Sequence, residues 1–159
     1  MIADSIMQAL REHPFVEDFR PEHVQTLGAL AHEVAFERDH VIFREGDECS
    51  LFYLIVSGKV ALEISAPGHT VRVQTLAAGD EFGWSAVLMR SGKHFQARAL
   101  EPVAALAIEG AELHSACQED PSFGCDFMFR LLGVVSERLQ ATRLQLLDIY
   151  APKAKPVVA

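Results

Sequence analysis

Between residues 32 and 108 the chain is cut into short strand-forming runs by turn signals, and this pattern restricts the fold more than any other feature. The runs are Val34–Glu37, Val41–Phe43, Leu51–Ser57, Lys59–Ser65, Val71–Leu76, Phe95–Leu100 and Val103–Ile108. The punctuation is Glu45-Gly46-Asp47, Ser57-Gly58, Ala66-Pro67-Gly68, Ala78-Gly79-Asp80 and Glu101-Pro102. Glycine and proline at these points supply the backbone angles that tight turns need. Within Lys59–Ser65, Val60, Leu62 and Ile64 alternate with Lys59, Ala61 and Glu63, the period of a half-buried strand. Many short antiparallel strands at regular spacing predict a jelly-roll or β-roll, with the barrel at about 32–108.

Helical patterns flank this zone. Residues 3–31 carry the stripe Ile6, Met7, Leu10, a break at Pro14, and a second helix opened by Pro21 with Val24, Leu27 and Leu30 on one face. After the barrel, Glu109–Cys117 reads as a short helix and Ser122–Tyr150 as a long one. In the long helix Met128, Leu132, Val135, Leu139, Thr142, Leu146 and Ile149 are spaced 4, 3, 4, 3, 4, 3, an a/d heptad seam with one polar member. Beside it Phe123, Phe127, Leu131 and Val134 form a second stripe, in the first half only. That stripe suits the barrel, and the seam needs a partner. A helix from a second copy gives a two-fold homodimer; packing on the same chain is the alternative. Residues 1–150 thus form one domain, followed by a tail at 151–159 that prolines keep out of the helix.

Composition narrows the function classes. A net charge of −8 and a pI near 5.3 disfavour a free-standing nucleic-acid binder. Cys49, Cys117 and Cys125 are odd in number and form no C-x-x-C pair, so they read as free thiols of a reducing compartment. The N-terminus lacks a basic stretch before an apolar core, and no apolar run reaches the roughly 18 residues of a membrane span. A cytoplasmic location is expected. No nucleophile–base pair or paired carboxylates stand out, and an enzyme is not expected. The histidines, His13, His23, His32, His40, His69, His94 and His114, include no H-x-H pair, which argues against a metal centre on the barrel strands.

The stretch Phe43-x-Glu45-Gly46-Asp47-x-Cys49-x-x-x-Tyr53-x-Ile55-x-Ser57-Gly58-x-Val60 resembles the front half of a cyclic-nucleotide-binding domain. Leu76-x-x-Gly79-Asp80-x-Phe82-Gly83 resembles the approach to that family's phosphate-binding cassette, and Arg138-Leu139-Gln140-x-Thr142 resembles the dimerising C-terminal helix of the catabolite activator and fumarate–nitrate regulator group. The resemblance covers roughly residues 15–150. It implies a β-roll with flanking helices and a regulatory, ligand-sensing role. In the regulator group a helix-turn-helix domain follows the long helix. Only nine residues follow Tyr150, too few for such a reader, so direct DNA binding by this chain is not expected. A stand-alone sensor and a piece of a longer regulator both fit.

The family cassette uses Gly-Glu at the start of a short helix and, about eleven residues on, Arg followed by Ser or Thr. Backbone N–H groups and the Arg hold the cyclic phosphate, and the Glu takes the ribose hydroxyl. Here Gly83 matches, but Trp84 stands at the Glu position, His94 at the Arg position and Phe95 at the Ser/Thr position. Imidazole is fully charged only well below a pH of about 6.5. Tight cyclic AMP binding is therefore not expected, whereas a cyclic nucleotide or another small anionic ligand remains the natural occupant. The pocket candidates are Gly83, Trp84, Ser85, Ala86, His94, Phe95, Arg98 and Thr142. Arg98 is included because it follows His94 by four residues and shares its strand face, and Thr142 because it matches the helix position that meets the ligand. Two rival readings accompany this one: an empty dimerisation module, and a haem sensor with His13, His94 or Cys125 as axial ligand. An unidentified protein partner would receive the signal.

Overall fold

The computed structural model describes residues 2–48, 50–88 and 95–150. Cys49, His94 and the tail at 151–159 lie outside the described residues.

Helix α1 (Ile2–Glu12), a 3-10 turn (Pro14–Val16) and helix α2 (Pro21–Leu30) lead into eight strands. These are β1 (Ala31–Phe36), β2 (Val41–Phe43), β3 (Leu51–Ser57), β4 (Val60–Ala66), β5 (His69–Leu76), β6 (Glu81–Phe82), β7 (Gln96–Ala99) and β8 (Val103–Glu109). Helices α3 (Gly110–Glu119) and α4 (Pro121–Tyr150) follow. The strands form two antiparallel sheets, ordered β1-β8-β3-β6 and β2-β7-β4-β5. This is the antiparallel roll with flanking helices that the sequence predicts.

Strand β3 shows how the layers stack. Its side chains alternate, so Phe52 and Leu54 face the helices while Tyr53 and Ile55 face the roll interior, and all four are buried. On the helix side they meet Leu10, Phe15, Phe123, Phe127 and Leu131. Inside the roll Tyr53 stacks on Phe82 at 4.6 Å between ring centres, above the small residues Ala97, Ala99, Ala105 and Ala107. The second stripe of α4 is thus fully used: Phe123, Phe127, Leu131 and Val134 are all buried. Pro121 opens α4, and Asp120 Oδ1 accepts from the N–H groups of Ser122 (3.1 Å) and Phe123 (3.3 Å), an N-cap. His23 of α2 ties to Asp126 of α4.

Three sequence expectations change. Strand β1 begins at Ala31 rather than Val34, because β8 offers partners as far as Ile108. The dipeptide Glu81–Phe82, absent from the expected strand runs, is a short strand paired with Leu54 and Tyr53. Strand β4 is not simply half-buried: Val60, Ala61, Leu62 and Glu63 are all buried, whereas Ile64 is 37% exposed. A register shift after Leu62 interrupts the alternation, and Arg98 and Gln96 cover Glu63.

Turn glycines fix the corners. Gly58 has φ +91°, and a Cβ there would lie 2.3 Å from the Pro102 carbonyl oxygen. Gly83 has φ +80° and would meet the Leu51 carbonyl oxygen at 2.5 Å. Both positions therefore require glycine on two counts.

Candidate functional site

A cavity of about 370 Å³ opens between the β2-β7-β4-β5 sheet and the second half of α4. The roll contributes Phe43, Leu62, Ile64, Val73, Gln74, Phe82, Gly83, Trp84, Ser85 and Phe95. Helix α4 contributes Val135, Arg138, Leu139, Thr142 and Gln145. The cavity is mostly apolar with a few polar groups on its rim, the usual make-up of a small-molecule site. Gln145 Nε2 donates to the Val73 carbonyl oxygen at 3.3 Å and joins α4 to β5 across the mouth. A second groove of about 570 Å³ crosses the N-terminal helices, but Arg11, Glu12 and Glu17 line it and it touches neither the sheets nor α4.

Of the sequence candidates, Gly83, Trp84, Ser85, Phe95 and Thr142 come together in this cavity. Ala86 does not: it is fully buried, and a Cβ on Gly110 would press on its backbone. The stretch 83–86 is one 3-10 turn (Trp84–Ala86) behind Gly83, rather than the start of a longer helix. Its aligned peptide dipoles are few, so it is a weaker anion site than the sequence suggests. His94 lies outside the described residues.

Arg98 departs from its expectation. In β7 the inward side chains are Ala97 and Ala99, both fully buried, so Arg98 points to the outer face. There Nε and Nη2 donate to Glu63 Oε1 (3.0 Å) and Oε2 (2.9 Å), and Nη1 reaches Asp39 at 3.2 Å. Gln96 adds a bond to Glu63 at 3.2 Å. This bidentate clamp holds the Glu63 carboxyl below its usual range, chiefly through the Arg98 hydrogen bonds.

The heptad seam splits among three environments. Met128 packs on the chain's own core, and Val135, Leu139 and Thr142 line the cavity. Leu132, Leu146 and Ile149 stand 65%, 48% and 73% exposed. Thr142 Oγ1 donates back to the Arg138 carbonyl oxygen at 2.9 Å.

Two charged residues escaped the sequence reading of the site. Glu81 is buried in β6, and Arg138 Nη2 donates to its Oε1 at 3.5 Å. Burial pushes the Glu81 carboxyl up, an effect that Arg138 opposes and Asp80 reinforces. Burial likewise lowers the Arg138 guanidinium, against the pull of Glu81 and Asp80. The signal for Arg138 was available: it precedes Thr142 by four residues, on the same helix face.

The haem reading needs a donor in the cavity. His13 is elsewhere, with both ring nitrogens engaged. Nδ1 accepts from Phe15 N–H at 3.1 Å, so Nε2 carries the proton and donates to the Ile55 carbonyl oxygen at 3.0 Å. Cys125 is exposed on α4, Cys117 is half-buried, and no described His or Cys lines the cavity. Among the described residues no group of three His, Cys, Asp or Glu is placed to hold a metal ion. No helix among them is long and apolar enough to cross a membrane.

The family profile described as cyclic nucleotide-binding domain matches residues 33–120, more than half of the chain. The chain belongs to the cyclic nucleotide-binding domain family. Its relatives include the CRP-like cAMP-activated global transcriptional regulator of Mycobacterium tuberculosis, 27% identical over 130 residues, which cover 81% of this chain and 56% of the regulator. A candidate potassium channel protein of Rhodopseudomonas palustris is 30% identical over 103 residues, covering 61% of this chain and 25% of the channel protein. The chain therefore spans a quarter to about half of the length of these relatives. Among solved structures, a candidate cyclic nucleotide-binding protein from Geobacter metallireducens superposes with a TM-score of 0.73 at 26% identity, covering 83% of this chain and 96% of that one. The family and the fold implied by the sequence resemblance are thereby confirmed. The cyclic nucleotide-binding profile ends at residue 120, so every α4 residue of the cavity lies beyond it.

Proposed function

We propose that the chain is a ligand-sensing regulatory domain without catalytic activity, in which a small planar ligand enters the cavity and alters the packing of α4. One observation carries this reading: the cavity has two walls, the roll and α4, so an occupant touches both. A ligand changes a conformational equilibrium only by binding one state better, and contact with a separable element supplies that difference. Trp84 offers a flat apolar face to a planar ring. The ligand class is a cyclic nucleotide or a related small anion, held less tightly than where the cassette carries its Glu and Arg.

The exposed apolar side chains of α4 support a homodimer as the output element. Phe129, Leu132, Leu146 and Ile149 present apolar surface along the helix that no other described residue covers. The same exposure favours a second reading, a dimerisation module whose cavity stays empty. Thermal unfolding against cyclic AMP, cyclic GMP and a cyclic dinucleotide at pH 6 and 7.5 separates the two. Ligand sensing raises the melting temperature saturably, and Thr142→Ala weakens the rise. A flat melting temperature with all three at millimolar concentration leaves the empty dimer module, whose mass sedimentation would show.

A further inference from the structure

The proposed ligand site has a charge arrangement that goes beyond its shape. Among the described residues, Arg138 is the one charged side chain that lines the cavity. Its counter-ion Glu81 sits behind it, buried between β6 and α4 and outside the cavity lining. The contact between them is single and long, 3.5 Å, unlike the bidentate clamp on Arg98. Arg98, the obvious substitute for a cassette arginine, is committed to Glu63 on the outer face.

We infer that Arg138, on the long helix, is the anion anchor of this cavity, and that it exchanges Glu81 for the ligand's anionic group while Glu81 takes up a proton from solvent. The inference rests on the ligand-sensing reading above. The apo state holds a buried Arg–Glu pair. In the bound state Arg138 faces the ligand anion, and Glu81 is left buried with Asp80 beside it. A carboxylate in that position accepts a proton, because burial and a neighbouring negative charge both disfavour its ionised form. The charged and titratable groups around Glu81 are Arg138 and Arg130 of α4 and Asp80 before it. His13 also lies near Asp80, but burial lowers its pKa and both its ring nitrogens are engaged. Up to one proton is therefore taken up per anion bound, and affinity for a monoanion rises as pH falls.

The test compares cyclic AMP with adenosine, its neutral counterpart, by titration calorimetry at pH 6 and pH 8 on the full chain. The cyclic phosphate keeps one negative charge throughout this range. Cyclic AMP is expected to bind tighter than adenosine by about tenfold to a hundredfold, and to gain affinity by about tenfold from pH 8 to pH 6. Adenosine is expected to show neither pH dependence nor proton uptake. Arg138→Gln should abolish the preference for cyclic AMP over adenosine. Glu81→Gln should remove the pH dependence and strengthen cyclic AMP binding at pH 8, a readout that does not require the Arg138 variant to fold. Equal binding of the two ligands by the native chain, or a preference that survives Arg138→Gln, overturns the anchor and leaves the ligand-sensing reading standing. No binding of either ligand overturns both.

Discussion

The outer face of the β2-β7-β4-β5 sheet and the junction of β6 with α4 each pair a buried glutamate with an arginine. On the sheet, Arg98 grips Glu63 through two bonds of 2.9 and 3.0 Å, with Asp39 and Gln96 as further partners. At the junction, Arg138 meets Glu81 once, at 3.5 Å, with both side chains largely shielded. The first pair lowers its carboxyl and the second leaves its carboxyl raised. Geometry decides the difference. Where several side-chain hydrogen bonds satisfy the ionised form, attraction outweighs desolvation; where the arginine makes one long contact and Asp80 lies close by, desolvation wins. The tight pair holds the sheet together. The loose pair lies against the cavity, where a rearrangement costs little.

Removing each acid is the harshest way to break that comparison. Glu81→Ala leaves a buried guanidinium without its counter-ion and is expected to lower unfolding free energy by about 3 kcal/mol. Glu63→Ala is expected to cost about 1 kcal/mol, because Arg98 keeps Asp39 and access to water. Urea unfolding of both variants at pH 7.5 checks the ranking, and equal losses would erase the distinction.

A smaller effect is the response to pH, where the two acids should act with opposite sign. Glu63 titrates below its ordinary 4.5 in the folded state. Its contribution is complete above that pH and is lost as pH falls through 4.5 and below. Glu81 titrates above 4.5 in the folded state, so protonation favours folding and its stability contribution grows as pH falls toward 4.5. His13 is lowered from 6.5 by burial, so its contribution is complete above 6.5 and declines below it. Stability measured from pH 7.5 to pH 4 should therefore fall less steeply in Glu63→Gln than in the native chain, and more steeply in Glu81→Gln.

The fold was largely legible in the sequence because strand period, turn residues and heptad spacing are local signals. The stripe Phe123, Phe127, Leu131 and Val134 was assigned to the core from spacing alone, and it is buried there. The long helix was placed to within one residue, because Pro121 follows an Asp that can cap it. What failed was information carried by pairing between distant segments. Strand β6 is two residues long and exists only because β3 offers Tyr53 and Leu54 as partners. The face of Arg98 is fixed by which β7 neighbours are small enough to enter the roll, and Glu63 then captures it. For the site, the turn at Gly83 and the aromatic Trp84 were visible as motif positions. Glu81 and Arg138 are 57 residues apart and meet only after α4 folds back over the roll.

The two-walled cavity is tested most directly by the fluorescence of Trp84, the chain's single tryptophan and a residue of the cavity wall. Its emission should change saturably as cyclic AMP or adenosine is added. The midpoint should shift upward at least about tenfold in Val135→Phe, which fills the α4 side. It should stay within about twofold in Arg98→Gln, whose side chain is engaged on the outer face of the sheet. Emission that stays flat to about 5 mM of either ligand, or a response that Val135→Phe leaves untouched, would contradict a ligand held between the roll and α4.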